Sequence, residues 1–113
     1  MSQVAAFNAI ETVVQLIPCG CVSSYARVAD LAGLPRRARL VGTVLKKTSR
    51  DDLPWHRVVR ADGGFAFPVD SVNGQQQRDR LRQEGVAFRG DKVDMAVHLW
   101  QPSLDDLLIK LNF

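Results

Sequence analysis

The sequence is poor in the residues that support disulfide, metal or histidine chemistry. Its 113 residues include two cysteines and two histidines. Cys19 and Cys21 are separated by a single glycine, which is too short a spacing for an unstrained disulfide. His56 and His98 could add two ligands, but their spacing matches no standard zinc pattern. The sequence therefore predicts two free thiols, no metal site and no cofactor.

Long hydrophobic runs are also missing. No apolar stretch approaches the roughly 18 residues needed to cross a bilayer, and the N-terminus has no basic segment followed by an apolar one. A hydrophobic content of 46% and a charged content of 24% are ordinary for a soluble globule. We therefore expect one soluble, cytoplasmic domain over residues 1–113, with no membrane contact.

Helical periodicity is the strongest structural pattern in the first half of the chain. Apolar residues at helical spacing predict a helix over residues 3–16. A serine at 23 or 24 can cap a second helix that ends near Ala32. The Gly33-Leu34-Pro35 break then precedes a third helix, from Arg36 to Lys47. Two helices joined by a short glycine-containing turn are typical of a helix-turn-helix.

The second half predicts less helix and some strand. Val58-Val59 and Phe65-Ala66-Phe67 flank an Asp-Gly-Gly turn, which predicts a β-hairpin that would serve as a small wing. Residues 73–84 form a charged helix pattern closed by a glycine, and a strand-like segment follows at 86–88. Leucines in the tail, 103–113, are compatible with a last short helix. The predicted fold class is mainly α with a small hairpin wing, similar to a winged helix-turn-helix DNA-binding domain.

The helix predicted over 36–47 has two distinct faces when its residues are placed at about 100° steps. One face, expected to pack on the core, carries Ala38, Val41, Val44 and Leu45. The opposite face carries Arg36, Arg39, Thr43, Lys46 and Lys47. A chain with a net charge of only +3 thus places four cations on one face of one helix. A charge run alone is usually a solvated surface, but after a helix-turn-helix break it favours contact with phosphates.

The segment LPWHRVV at residues 53–59 has the layout of a thiol active site with an indole in place of the thiol. A cysteine beside His56 would be activated as a thiolate nucleophile. Trp55 has no lone pair that could act as a nucleophile, because the electrons of its ring nitrogen belong to the aromatic system. It offers a flat apolar face and one N–H donor, which suit binding. The segment predicts a protein that binds a ligand here and is not an enzyme.

Three blocks together carry a family resemblance: IPCGCVSSYARVA at 17–29, AGLPRRARLVG at 32–42 and LPWHRVV at 53–59. They resemble the C-terminal domain of O6-alkylguanine-DNA alkyltransferase, and more closely the alkyltransferase-like proteins, which carry Trp at the cysteine position. The resemblance spans about residues 17–100. It implies a nucleoid-associated monomer that binds O6-alkylguanine in double-stranded DNA through the minor groove, flips the nucleotide without alkyl transfer, and signals to nucleotide excision repair proteins.

The resemblance also implies roles for individual residues on the DNA-binding surface. Arg39 matches the arginine finger that takes the place of the extruded base. Tyr25 matches the tyrosine that helps to rotate the phosphate on the 3′ side of the extruded nucleotide. The remaining DNA contacts are expected from Arg36, Thr43, Lys46 and Lys47.

A lesion pocket is implied around Trp55, which would lie against the flipped guanine and its substituent. Leu45 matches an apolar wall, and the main chain near Val58 matches acceptors for the guanine amino group. Val69 stands at an edge of the pocket. A cation there would favour some guanine substituents electrostatically, and valine supplies no charge. His56, Arg57 and Glu84 match residues that activate the thiol in transferring enzymes, and we expect them to act here as a structural brace.

Two other functions remain open at this point. A winged-helix regulator that reads DNA sequence would use the same basic helix, but it has no need for Trp55 in the Pro-Trp-His-Arg context. A residual alkyltransferase would have to use Cys19 or Cys21, in a turn well before the pocket. The chain also departs from the transferring enzymes at residues 68–71, where Pro-Val-Asp-Ser stands in place of Tyr-Ser-Gly-Gly.

Overall fold

The helix-turn-helix is built from two helices at residues 25–31 and 38–47, and a helix at residues 3–16 packs against both. The computed structural model describes residues 2–103 and Leu107. Its helices are α1 (Gln3–Leu16), α2 (Tyr25–Leu31), α3 (Ala38–Lys47), α4 (Val72–Gln83) and α5 (Met95–His98), with a 3-10 turn at Trp55–Arg57. Its strands are β1 (Ser23–Ser24), β2 (Val58–Val59), β3 (Phe88–Arg89) and β4 (Lys92–Val93). The predicted fold class is confirmed.

The start of α2 follows the predicted capping, whereas α3 begins later than predicted. Ser24 caps α2 by accepting a hydrogen bond from the Arg27 amide at 3.1 Å. Helix α3 begins at Ala38, so the prediction of a helix from Arg36 was wrong by two residues. The cause is local, because Arg36 has φ +67°, a left-handed conformation that a right-handed helix does not contain.

The core divides into two apolar clusters. The first joins α1 to the helix-turn-helix, and there Val41 and Val44 of α3 are fully buried, as their helix face predicted. Ala38 and Leu45, assigned to the same face, are only half-buried. The second cluster lies under α4 and contains Val22, Val59, Phe65, Leu81, Val86 and Val93. Helix α3 is therefore held along one side, and the opposite side remains accessible.

The wing lies at a different place from the one predicted. Strand β2 pairs in parallel with β1, and no strand forms at residues 65–67. The reason is packing, because Phe65 is buried and stacks on Phe88 with ring centroids 5.8 Å apart. The observed antiparallel hairpin is β3–β4, with Phe88 opposite Val93. A small wing thus exists, but its midpoint lies about 28 residues later in the chain than the sequence pattern indicated.

Helix α4 matches its prediction within one residue at each end. The Ser71 hydroxyl accepts from the Gly74 amide at 3.0 Å and caps the helix, and Gly85 follows the C-terminus with φ +82°. The strand predicted at 86–88 is observed at 88–89. The predicted tail helix falls mostly outside the described residues. None of the described helices has the length and apolarity required to span a membrane.

Candidate functional site

An open cleft of about 910 Å³ lies between α3, the 3-10 turn and the first half of α4. Its walls bring together five residues that the sequence assigned to the site, namely Tyr25, Arg39, Leu45, Lys46 and Trp55. The other lining residues are Ala38, Gly42, Ala66, Phe67, Asn73 and Gln76. A half-buried indole and a basic helix therefore face one cavity, although they are separated in the chain.

Trp55 is held by aromatic and cationic neighbours. Its ring meets Phe67 edge to face with centroids 5.9 Å apart, and it meets the His56 ring in the same way at 6.4 Å. The Arg80 guanidinium carbon lies 5.6 Å from the Trp55 ring centroid, within the range of a cation–π interaction. These contacts leave the indole half-buried, with part of its surface lining the cleft.

Beside Trp55, Glu84 joins three segments of the chain through one carboxylate. It accepts from Arg57 Nε at 3.0 Å and Nη2 at 2.8 Å, faces His56 Nε2 at 2.7 Å, and accepts from the Gly20 amide at 3.0 Å. Arg57 also donates to the Ile17 carbonyl at 2.8 Å. His56, Arg57 and Glu84, the residues expected to form a brace, therefore lie in a single hydrogen-bonded cluster.

The electrostatics of this cluster favour a charged Glu84 and a neutral His56. Burial raises the pKa of Glu84, but the hydrogen bonds from Arg57, His56 and Gly20 outweigh it and lower the pKa from 4.5 to about 2. Burial also lowers the pKa of His56, and the opposing attraction of Glu84 does not reverse the shift. A neutral His56 that donates through Nε2 leaves Nδ1 as an acceptor, and this buried atom has no hydrogen-bond partner within the described residues.

Two residues predicted for the pocket do not line the cleft. Val58 is fully buried in the first core cluster, and its carbonyl accepts a hydrogen bond from Gln77 Nε2 at 3.0 Å. Val69 is 62% exposed and lies outside the cleft lining. Both assignments came from the family resemblance. The one for Val58 concerned its main chain, whose carbonyl is bonded to Gln77, and it stays a prediction.

The basic surface continues from the cleft along α3. A second, shallower depression of about 680 Å³ is lined by Arg36, Arg37, Ala38, Arg39, Leu40 and Thr43. Arg39 lines both cavities and is exposed. Thr43 is exposed one turn later, with its hydroxyl donating to the Arg39 carbonyl at 3.2 Å. Lys47 is exposed but lines neither cavity, so the cations of α3 are not equivalent.

Sequence reasoning missed the contribution of α4. Asn73, Gln76 and Arg80 recur at a spacing of three and four residues, which places them on one helix face toward Trp55. The spacing is visible in the sequence, but no residue pattern within α4 indicates that this face packs toward the 3-10 turn. Phe67 was also missed, because it had been assigned to a hairpin strand.

The cysteines lie apart from this cavity. Cys19 is exposed, Cys21 is half-buried against the core, and neither forms a disulfide bond. Neither lines the cleft. Across the described residues, no group of three or more His, Cys, Asp or Glu side chains is arranged to hold a metal ion.

The amino-acid sequence matches known proteins over most of its length. Residues 5–86 match the family described as the DNA-binding domain of 6-O-methylguanine DNA methyltransferase. The chain is 42% identical over 90 residues to the DNA base-flipping protein of Escherichia coli, covering 78% of this chain and 68% of that protein. It is 36% identical over 92 residues to alkyltransferase-like protein 1 of Schizosaccharomyces pombe, covering 76% of this chain and 85% of that protein.

Solved structures agree with these matches. The fold resembles S. pombe Atl1 in complex with damaged DNA containing O6-carboxymethylguanine, with a TM-score of 0.80 and 31% identity over 90% of this chain and all of that one. The R37L variant of Mycobacterium tuberculosis O6-methylguanine methyltransferase matches with a TM-score of 0.61 and 28% identity, over 69% of this chain and 47% of that one. On this evidence the chain belongs to the family of the DNA-binding domain of 6-O-methylguanine DNA methyltransferase.

Proposed function

We propose that the protein is a DNA damage sensor that binds O6-alkylguanine in double-stranded DNA with the modified base rotated into the cleft beside Trp55. The observation that carries this proposal is a half-buried indole facing a cavity whose other wall is a basic helix. The family resemblance assigns the acceptor thiol of the transferring enzymes to this position. Relatives named for base flipping and a related complex with O6-carboxymethylguanine support it.

The dimensions and chemistry of the cleft fit a displaced base. Ligand cavities generally measure about 300–1,000 Å³, and the present cleft of about 910 Å³ falls within that range. Trp55 and Leu45 supply apolar surface, on which a larger O6 substituent would gain about 25 cal/mol for each Å² it buries. Asn73 and Gln76 supply polar groups on the α4 side. Binding would then favour alkylated guanine over guanine.

Rotation of a base out of the duplex costs a few kcal/mol, and Arg39 is placed to offset part of that cost. Its side chain is exposed at the junction of the cleft and the depression on α3. A guanidinium there can stack on the neighbouring bases and donate to the orphaned partner. Arg36, Thr43, Lys46 and Lys47 would hold the DNA backbone in a sequence-independent way.

Within the described residues, the lining of the cleft contains no thiol that could accept an alkyl group. An indole is not a nucleophile under these conditions, and the cysteines lie outside the cavity. We therefore propose that the protein binds the lesion without repairing it and, as a nucleoid-associated monomer, passes it to nucleotide excision repair proteins.

Competition binding between matched duplexes with guanine or O6-methylguanine at one position tests recognition. We expect clear preference for the lesion duplex in several flanking sequences. Equal affinity throughout would leave only general DNA binding, and dependence on flanking sequence alone would favour a transcription regulator. A duplex with a radiolabelled methyl group tests the absence of transfer, since label that becomes covalently attached to the protein would contradict it.

A further inference from the structure

Arg60 lies next to Tyr25 at the end of the parallel pair β1–β2. In that pair Ser24 lies opposite Val59. Tyr25 and Arg60 directly follow the two strands, so both leave the sheet at the same end. Tyr25 lines the cleft. Burial raises the pKa of the Tyr25 hydroxyl, and the positive charge of Arg60 opposes part of that rise. The arginine therefore adds positive charge beside Tyr25 from an element other than α3.

The backbone of Arg60 is fixed by a tight turn. Its amide donates to the Gly64 carbonyl at 2.8 Å, and its carbonyl accepts from the Gly63 amide at 2.9 Å. The turn is tied to β4, because the Gly63 carbonyl accepts from the Val93 amide at 3.0 Å. Gly63 has φ +87°, and a Cβ atom there would clash with the Val93 carbonyl oxygen. Arg60 thus extends from a rigid support.

The guanidinium of Arg60 is available to a ligand. Within residues 2–103 and Leu107 the exposed side chain has no hydrogen-bond or ion-pair partner. The nearest carboxylate along the chain, Asp62, is already engaged by Lys92 Nζ at 2.9 Å and by the Gly64 amide at 2.9 Å. An unpaired guanidinium whose charge acts on a phenol hydroxyl presents, together with that hydroxyl, donors that bind a phosphodiester.

We propose that Arg60 and Tyr25 together bind one backbone phosphate adjacent to the nucleotide whose base enters the cleft. The inference rests on the proposed function, because the displaced nucleotide would bring its phosphate to this end of the β1–β2 pair. The guanidinium donates to the phosphate oxygens and the Tyr25 hydroxyl donates one further hydrogen bond. The displaced strand is then held from β2 as well as from α3.

The test compares Arg60→Gln with a charge-matched control, Arg89→Gln, which removes an exposed arginine from the wing outside the cleft. Affinities are measured for duplexes with one O6-methylguanine or guanine, over a series of salt concentrations. For Arg60→Gln we expect about a tenfold loss on the lesion duplex and a salt slope smaller by about 1. We expect a smaller loss on the unmodified duplex, and little change for Arg89→Gln on either.

The phosphate itself is identified by replacing the phosphates around the lesion, one at a time, with neutral methylphosphonates. At one position next to the lesion the replacement should weaken the wild-type protein but leave Arg60→Gln unaffected, and Tyr25→Phe should show the same coupling in part. Arg60→Gln with unchanged affinity, or with equal losses on both duplexes and no coupled phosphate, would overturn the inference. Failure of the wild-type protein to distinguish the duplexes would instead overturn the proposed function.

Discussion

We expect single residues of this protein to make separable contributions to DNA binding, and Arg39 and Lys47 illustrate this. Both are exposed cations of α3, but only Arg39 lines the two cavities. The Arg39 side chain would contribute both a charge and the group that replaces the extruded base. Lys47 would contribute a charge alone.

We predict that Arg39→Ala weakens binding to O6-methylguanine DNA by more than tenfold, whereas Lys47→Ala weakens it only a few-fold. Fluorescence anisotropy with labelled duplexes measures both. Fluorescence of 2-aminopurine placed next to the lesion should also show less unstacking with Arg39→Ala. Comparable losses for the two variants would count against insertion of Arg39 into the duplex.

Trp55→Cys would place a thiol where the family resemblance assigns the acceptor cysteine of the transferring enzymes. His56, Arg57 and Glu84 remain hydrogen-bonded around it. We nevertheless expect little methyl transfer, because residues 68–71 lack the Tyr-Ser-Gly-Gly segment of the transferring enzymes. Transfer of a radiolabelled methyl group from duplex DNA measures this, with Trp55→Ser as the control without a thiol. Efficient transfer by Trp55→Cys would show that the site is still catalytically competent.

Among the structural elements, α3 combines a buried face with a surface of small residues. Ala38 and Gly42 line the cleft, and a Cβ atom added at Gly42 would have no neighbour within 4 Å. The protein therefore does not require glycine at 42 for its own packing. Close approach of DNA to α3 would explain a small residue here.

We predict that Gly42→Leu preserves or raises the stability of the protein by up to about 1 kcal/mol, because glycine is a poor helix former, but weakens binding to DNA at least tenfold. Urea denaturation and anisotropy titration measure the two effects, and Gly42→Ala, with a smaller side chain, should fall between. Unchanged affinity of the leucine variant would mean that α3 does not approach the duplex closely at this point.

The sequence predicted elements with strong local signals and missed those set by distant contacts. The helices α1, α2 and α4 follow from periodicity and capping residues such as Ser24 and Ser71. The wing was misplaced because Phe65 packs in the core against Phe88, and a residue pattern within one segment does not show that. For the same reason the site was found at Trp55 and α3, whereas Arg60 and the α4 face required the assembled structure.

In the whole molecule, Glu84 connects the start of the helix-turn-helix region, the Trp55 turn and the end of α4. Its pKa falls from 4.5 in the unfolded chain to about 2 in the folded protein. A folded-state pKa that is lowered contributes stability above the unfolded value, and this stability is lost as the pH falls through the folded one. The shift corresponds to about 3 kcal/mol of stability.

We predict that Glu84→Gln destabilises the protein at pH 7 by about 3 kcal/mol, and that the difference from wild type shrinks as the pH falls from about 4.5 to 2. Urea denaturation at a series of pH values measures it. Asp79→Asn is a suitable control, because among the described residues Asp79 forms only an exposed pair, with Arg82 at 3.5 Å. A difference that stays constant across this pH range would mean that the charge of Glu84 is not what stabilises the fold.

The carboxylate of Glu84 grips His56, Arg57 and the Gly20 amide, but it makes no hydrogen bond to residue 55 itself. The hydrogen bonds of Glu84 therefore do not depend on which side chain stands at position 55. Evolution could exchange a reactive group for an inert one at this single position while the surrounding architecture stayed intact. A single ancestral fold can in this way give rise both to proteins that repair a DNA lesion and to proteins that only bind it.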